Sequence, residues 1–87
     1  MTAPTVTLYG RPGCHLCDDA RGVLVRLRAH AAFELQEVDI TADDALHARY
    51  LERIPVVALD GEELFDFFVD EAALLARLRP PPRGDTA

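Results

Sequence analysis

Apolar and polar side chains alternate along "TVTLY", residues 5–9, and this period of two predicts a strand ending at Gly10, before the turn-forming Arg11-Pro12-Gly13. From Leu16 the period changes. Ala20, Val23, Leu24, Leu27 and Ala31 recur at three- and four-residue spacing, the mark of one helix face, while Asp18, Arg21, Arg26 and Arg28 take the other. Gly22 weakens this helix and is expected where a neighbouring element packs closely. "FELQEVDI", residues 33–40, reads as a second strand with Val38 and Ile40 on one face. "TADD", residues 41–44, fits a capping box in which Thr41 caps and Asp44 reaches back. It opens a short helix to about Leu51 that buries Leu46 and either Tyr50 or Leu51. "IPVVAL", residues 54–59, is continuously apolar, as in a strand covered on both faces. Asp60-Gly61 supplies the positive φ angles of a tight hairpin, and "ELFDFF" returns as the antiparallel partner. Phe65, Phe67 and Phe68 are expected in the core on both faces of the strand or, alternatively, one ring is exposed near Pro55 as a docking surface for a partner protein. Asp70 caps a last helix carrying Leu74, Leu75 and Leu78, which Pro80 stops.

The predicted order is β-α-β-α-β-β-α: an α/β fold with a four-stranded mixed sheet and three helices. The first two units are expected to cross over as parallel βαβ pairs and the end to close as a hairpin. With 87 residues there is material for one domain, residues 1–79, followed by a Pro-rich tail, 80–87, expected to lack order.

Charge and composition narrow the partners. The net charge of −6 with no lysine argues against a nucleic-acid backbone or an anionic membrane. No apolar run reaches the length of a membrane span, and "MTAPTVTLYG" has neither the basic nor the apolar stretch of a secretory signal. The cytoplasm is therefore the expected compartment, where thiols are kept reduced. A Cys-x-x-Cys pair there points to redox catalysis or metal binding rather than to a disulfide scaffold.

Cys14 and Cys17 form that pair. A zinc site needs four ligands for structure or three plus water for catalysis, and two cysteines with the scattered His15, His30 and His47 fall short, so no metal is expected. Thiol chemistry asks for a sulfur held as thiolate. Cys14 stands at the start of the first helix, where the amides of Leu16 and Cys17 point towards its sulfur and the peptide dipoles add positive charge. Arg11 and His15 reinforce this; Asp18 and Asp19 oppose it. Two intervening residues let the sulfurs join, with Cys17 the more deeply placed. The roles expected are Cys14 as nucleophile and Cys17 as the resolving thiol.

A Cys-x-x-Cys directly after a first strand and opening a helix, with Ile54-Pro55 leading a buried strand further along, resembles the thioredoxin superfamily. The resemblance covers about residues 4–79 and is nearer to the glutaredoxin-like branch. "YGRPGCHLCDDA" is similar to small bacterial glutaredoxin-like proteins with Leu before the second Cys and Asp after it. The resemblance implies a thioredoxin fold and thiol-disulfide oxidoreductase activity. It also implies a cis Ile54-Pro55 bond facing Cys14, with the Ile54 backbone pairing with an extended substrate or the cysteinyl part of glutathione. Arg11 matches a glutaredoxin lysine that holds a glutathione carboxylate. Asp70, with the helix start after it, matches the place that receives the γ-glutamyl end.

Two departures accompany these matches. His15-Leu16 replaces the usual Pro-Tyr between the cysteines, and "FDFFVD" replaces a Gly-Gly turn, which sets Phe67 and Phe68 in the path of glutathione. Thiol-disulfide exchange therefore carries over further than glutathione dependence. An iron–sulfur cluster shared across a dimer would need that same pocket. The resulting expectation is a cytoplasmic monomer with no tightly bound cofactor, glutathione a possible reductant, and disulfide-containing proteins or glutathione mixed disulfides as substrates. The alternative is a non-enzymatic adaptor that binds a protein partner through the groove at Pro55.

Overall fold

Val6, Leu8 and Gly10 alternate inward along β1 (Thr5–Gly10) and are buried, as the period of two requires. The computed structural model describes residues 3–78. After β1 come α1 (His15–Leu27), β2 (Glu34–Asp39), a 3-10 turn (Ile40–Ala42), α2 (Asp44–Tyr50), β3 (Val56–Leu59), β4 (Glu62–Asp66) and α3 (Glu71–Leu78). They build one four-stranded mixed sheet in the order β2-β1-β3-β4 with three α-helices, the architecture expected. Among the described residues no helix is long and apolar enough to cross a membrane.

β1 pairs with β2 in parallel from Thr5↔Glu34 to Gly10↔Asp39, so the first βαβ unit is as expected. The second is not. β3 runs antiparallel to β1, from Val6↔Leu59 to Tyr9↔Val56, and therefore antiparallel to β2 as well. β3 starts at the end of the sheet where β2 finishes: Asp39 lies beside Gly10 and Val56 beside Tyr9, so the connection through α2 leaves and re-enters the sheet at the same end.

All four residues of β3 are buried, Val57 and Leu59 towards a cluster with Leu24, Leu27 and Leu74, and Val56 towards a second cluster with Ile40, Tyr50 and Ile54. The hairpin turns at Asp60 (φ 50°) and Gly61 (φ 89°) as the sequence predicts, and β4 carries a register shift opposite Val57 and Ala58.

Four local expectations are corrected. The first helix stops at Leu27, whose carbonyl accepts the His30 and Ala31 amides (2.8 and 3.0 Å); Ala31 packs on the core from the turn beyond. Gly22 faces no packed neighbour, since a Cβ there would meet nothing nearer than Arg26 Nη1 at 3.9 Å. Thr41 does not cap α2. Its hydroxyl donates to Asp39 Oδ1 (2.6 Å), which draws residues 40–42 into the 3-10 turn, and Asp43 Oδ1 instead accepts the Ala45 and Leu46 amides (2.8 and 3.1 Å). Of the two alternatives expected for burial at the end of α2, Tyr50 is buried and Leu51 is exposed. Finally, β4 ends at Asp66. Phe67 takes a positive φ of 71°, which no strand continues through, and the Phe67 and Phe68 rings are 50% and 68% exposed rather than in the core. The stop at Pro80 and the 80–87 tail lie outside the described residues.

Candidate functional site

Gly13, with φ of 75°, turns the chain off β1 so that Cys14, in an extended conformation, becomes the N-cap of α1. The Cys14 carbonyl accepts the first intrahelical bond from the Asp18 amide (3.1 Å), and its Sγ accepts the Cys17 amide at 3.1 Å. Here a sulfur fills the role that a Ser or Asp oxygen fills in an ordinary cap. A negative sulfur accepts such a bond better than a neutral one, so the cap geometry favours the thiolate. Of the two amides expected at the sulfur, Cys17's makes the bond.

Cys14 and Cys17 are joined as a disulfide, with Cα atoms 5.2 Å apart across the first turn. The two sulfurs are not equivalent. Cys17 is 1% exposed, whereas Cys14 is half-buried and His15 and Leu16 stand out in solvent. An incoming group therefore meets Cys14.

The charge opposing the thiolate is partly offset. Asp18 is bound by Arg21 Nη1 (2.9 Å), and Arg21 Nε also reaches Glu37 on β2 (2.6 Å). Hydrogen bonds first to Glu37 and then to Asp18 raise the Arg21 pKa further. All three side chains are more than 40% exposed, so the pairs hold geometry more than they add stability. They form one wall of a cleft of about 330 Å³ whose lining also includes Arg11, Pro12 and Cys17. Arg11 is exposed on this rim, on the β2 side of the cysteines.

On the other side, the Ile54-Pro55 bond is cis and both residues are buried. Ile54 belongs to one apolar cluster with Cys17, Tyr50 and Val56, against which Cys14 and Tyr9 pack. The fold thus gathers Cys14, Cys17 and the cis-proline segment at one end of the sheet. The Ile54 amide, which the resemblance expects to face a substrate strand, instead donates to the Tyr50 carbonyl (3.0 Å). Asp70 is engaged too: its Oδ1 caps α3 by accepting the Ala73 amide (3.0 Å), and it lines neither groove beside the cysteines.

The loop after β4 departs from the strand pattern and matches the alternative expectation of a Phe ring exposed beside Pro55. The Phe67 amide donates to the Pro55 carbonyl (2.7 Å), which ties Phe67 and Phe68 to the cis-proline segment. Leu16, Phe67, Phe68 and Val69 line a shallow groove of about 140 Å³ over Ala20 and Val23. Two adjacent phenylalanines cannot both face one side of a strand, and that was the available signal.

Behind the site Tyr50 stacks on Tyr9, ring centroids 4.5 Å apart, and donates to Glu63 Oε2 (2.7 Å). Burial first, then this bond, pushes the Tyr50 phenol up to about 12. Hydrogen bonds from Arg53 and Tyr50 hold the Glu63 carboxyl below its ordinary value. Among the described residues no three His, Cys, Asp or Glu side chains are grouped to hold a metal ion.

The family model of the glutaredoxin-like domain (DUF836) matches residues 5–79. The chain belongs to the glutaredoxin-like family. It is 35% identical over 81 residues to uncharacterised proteins of Mycobacterium bovis and Mycobacterium tuberculosis, covering 87% of this chain and 84% of theirs. The solution structure of a protein from Nitrosomonas europaea is 31% identical, with a TM-score of 0.80 over 91% of this chain and 95% of that one. A crystal structure from X. campestris is 41% identical, with a TM-score of 0.66 over 94% and 97%. A thioredoxin variant from Halobacterium salinarum, 20% identical with a TM-score of 0.67 over 93% and 80%, shares the fold. The glutaredoxin-like chain has a thioredoxin fold with a Cys-x-x-Cys pair at disulfide distance, an arrangement suited to redox activity.

Proposed function

We propose that the protein is a glutaredoxin-like thiol-disulfide oxidoreductase with a dithiol mechanism. The observation that carries this reading is the partly buried Cys14 at a helix N-cap, its sulfur bonded by the Cys17 amide and joined to the fully buried Cys17. The Cys14 thiolate attacks a substrate disulfide, forming a bond to one substrate sulfur and releasing the other as thiolate. Cys17 then gives up its proton and attacks the Cys14 sulfur. The second substrate thiol leaves, and the Cys14–Cys17 disulfide holds the oxidising equivalents. Two glutathione thiols, or a reductase dithiol, supply the two electrons that restore the pair.

The substrate class is a disulfide-containing protein or a glutathione mixed disulfide. Arg11 on its rim suits a substrate carboxylate, as a rigid fork. His15, Leu16, Ile54 and Pro55 frame the approach to Cys14, and Asp70 acts through the start of α3. The protein is proposed to work as a cytoplasmic monomer with no tightly bound cofactor and without nucleic-acid or membrane partners.

Cys17→Ser is expected to accumulate a mixed disulfide at Cys14, read as a mass shift, while Cys14→Ser loses turnover. A Cys14→Ser protein that still reduces disulfides overturns the assignment. The exposed Phe67 and Phe68 beside Pro55 favour a second reading, a non-enzymatic adaptor that binds a protein partner at the Pro55 groove. Failure to turn over with both glutathione and a thioredoxin-reductase system, while a partner still binds, selects that reading.

A further inference from the structure

The inward positions of β1 are Val6, Leu8 and Gly10, and the last of them, nearest the cysteines, carries no side chain. Cys17 faces the last of them. A Cβ on Gly10 would lie 2.9 Å from Cys17 Sγ and 3.1 Å from Cys17 Cβ, nearer than packed atoms approach in a close-packed interior. The backbone does not call for glycine here, because Gly10 lies outside the positive-φ region that Gly13 and Gly61 occupy. Space for the sulfur is the requirement.

We infer that Gly10 is a positioning residue for the redox pair, its missing side chain setting how readily Cys17 Sγ comes within bonding reach of Cys14. This inference rests on the dithiol reading above. In the disulfide, Cys17 Sγ is pinned by its bond to Cys14 and cannot turn from the strand. In the dithiol it rotates about the Cα–Cβ bond. A methyl group at position 10 therefore opposes the oxidised state more than the reduced one. The equilibrium concerned takes the protein disulfide and two glutathione thiols to two protein thiols and one glutathione disulfide, two electrons and two protons passing to the protein.

The test is to equilibrate the full chain in glutathione buffers of graded ratio and to count alkylated cysteines by mass. Gly10→Ala is expected to shift the equilibrium tenfold towards the dithiol, a potential about 30 mV higher. Gly22→Ala, whose added carbon meets nothing nearer than 3.9 Å, leaves the ratio unchanged. Thermal unfolding supplies a second arm: the Tm lost on Gly10→Ala shrinks in a Cys17→Ala background, where Sγ is gone. That arm decides the matter even if Gly10→Ala does not fold with Cys17 present. An unchanged ratio, a shift towards the disulfide, or an equal Tm loss in both backgrounds overturns the inference. A native pair that stays reduced in every buffer instead removes the dithiol reading, and the Tm comparison still reports whether Gly10 and the sulfur compete for one space.

Discussion

Tyr50 donates its phenolic hydrogen to Glu63 Oε2 across 2.7 Å and so ties the end of α2, within the cluster that holds Cys17, to β4. The ring is 4% exposed, stacked on Tyr9 and flanked by Arg49 and Arg53, each 5.3 Å from its centre. Tyr50→Phe keeps the stack and removes the bond to a charged acceptor, a loss of about 1.5 kcal/mol. For a domain of this size that lowers Tm by about 6–12 °C. The neutral phenol is the form the fold holds, its pKa raised from 10.0 to about 12. The stability this contributes is full below pH 10 and is lost as the pH rises towards 12. Thermal unfolding between pH 9 and 12 therefore falls less steeply for Tyr50→Phe than for the native chain, and parallel curves would refute the account.

Glu63 gives the opposite limb. Arg53 Nη2 at 2.6 Å is the first cause of its lowered pKa and the Tyr50 hydroxyl the second. The folded chain binds fewer protons at this carboxyl than the unfolded chain. Its contribution is thus present above the ordinary value of 4.5 and lost as the pH falls through the lowered one. Glu63→Gln is expected to be less stable than the native protein at pH 7, with the gap closing below pH 4. Urea unfolding at the two pH values measures it; a gap of constant size contradicts the assignment.

The start of α2 separates two caps that the sequence offers. Asp43 accepts two amides, whereas Thr41 spends its hydroxyl on Asp39. Asp43→Ala is expected to cost about 1 kcal/mol of unfolding free energy, and Thr41→Ala clearly less. Equal losses in chemical denaturation would return the cap to Thr41.

That pair of residues also marks how far the fold is legible in the chain. Features set by local chemistry were readable: the positive φ angles of Asp60-Gly61, the cap at Asp70, the Cys14 position before a helix, the doubly buried run of β3. Choices between equally local options were not, because "TADD" offers two cap oxygens and a neighbouring carboxylate outside it, Asp39, decides between them. The direction of β3 is settled by a long-range pairing, Val56 entering beside Tyr9, that no local pattern encodes. Within the candidate site the pair Cys14 and Cys17 was legible from spacing. The room made by Gly10 was not, since a glycine ending a strand reads as a turn signal, and the sulfur it accommodates lies seven residues on.

Phe67 provides the most informative substitution near the cysteines. Its φ of 71° lies in the left-handed region, which costs a residue with a Cβ about 1–2 kcal/mol. Phe67→Gly removes that cost, but it also removes a ring that is half-buried over Ala20 and Val23 and adds chain entropy to the unfolded state. These effects nearly cancel, and Tm is expected to stay within about 4 °C of the native value. Activity should not stay constant. Under the proposed function the ring crowds the glutathione side of Pro55 and offers apolar contact to a protein chain. Turnover of a glutathione mixed disulfide of a small thiol should therefore rise severalfold in Phe67→Gly, and turnover of an unfolded disulfide-bearing protein should fall severalfold. The ratio of the two kcat/KM values is the measurement, because a general loosening of the site moves both in one direction. Should the ratio match that of the native chain, Phe67 has no part in choosing between substrates and its strained backbone serves the Pro55 contact alone.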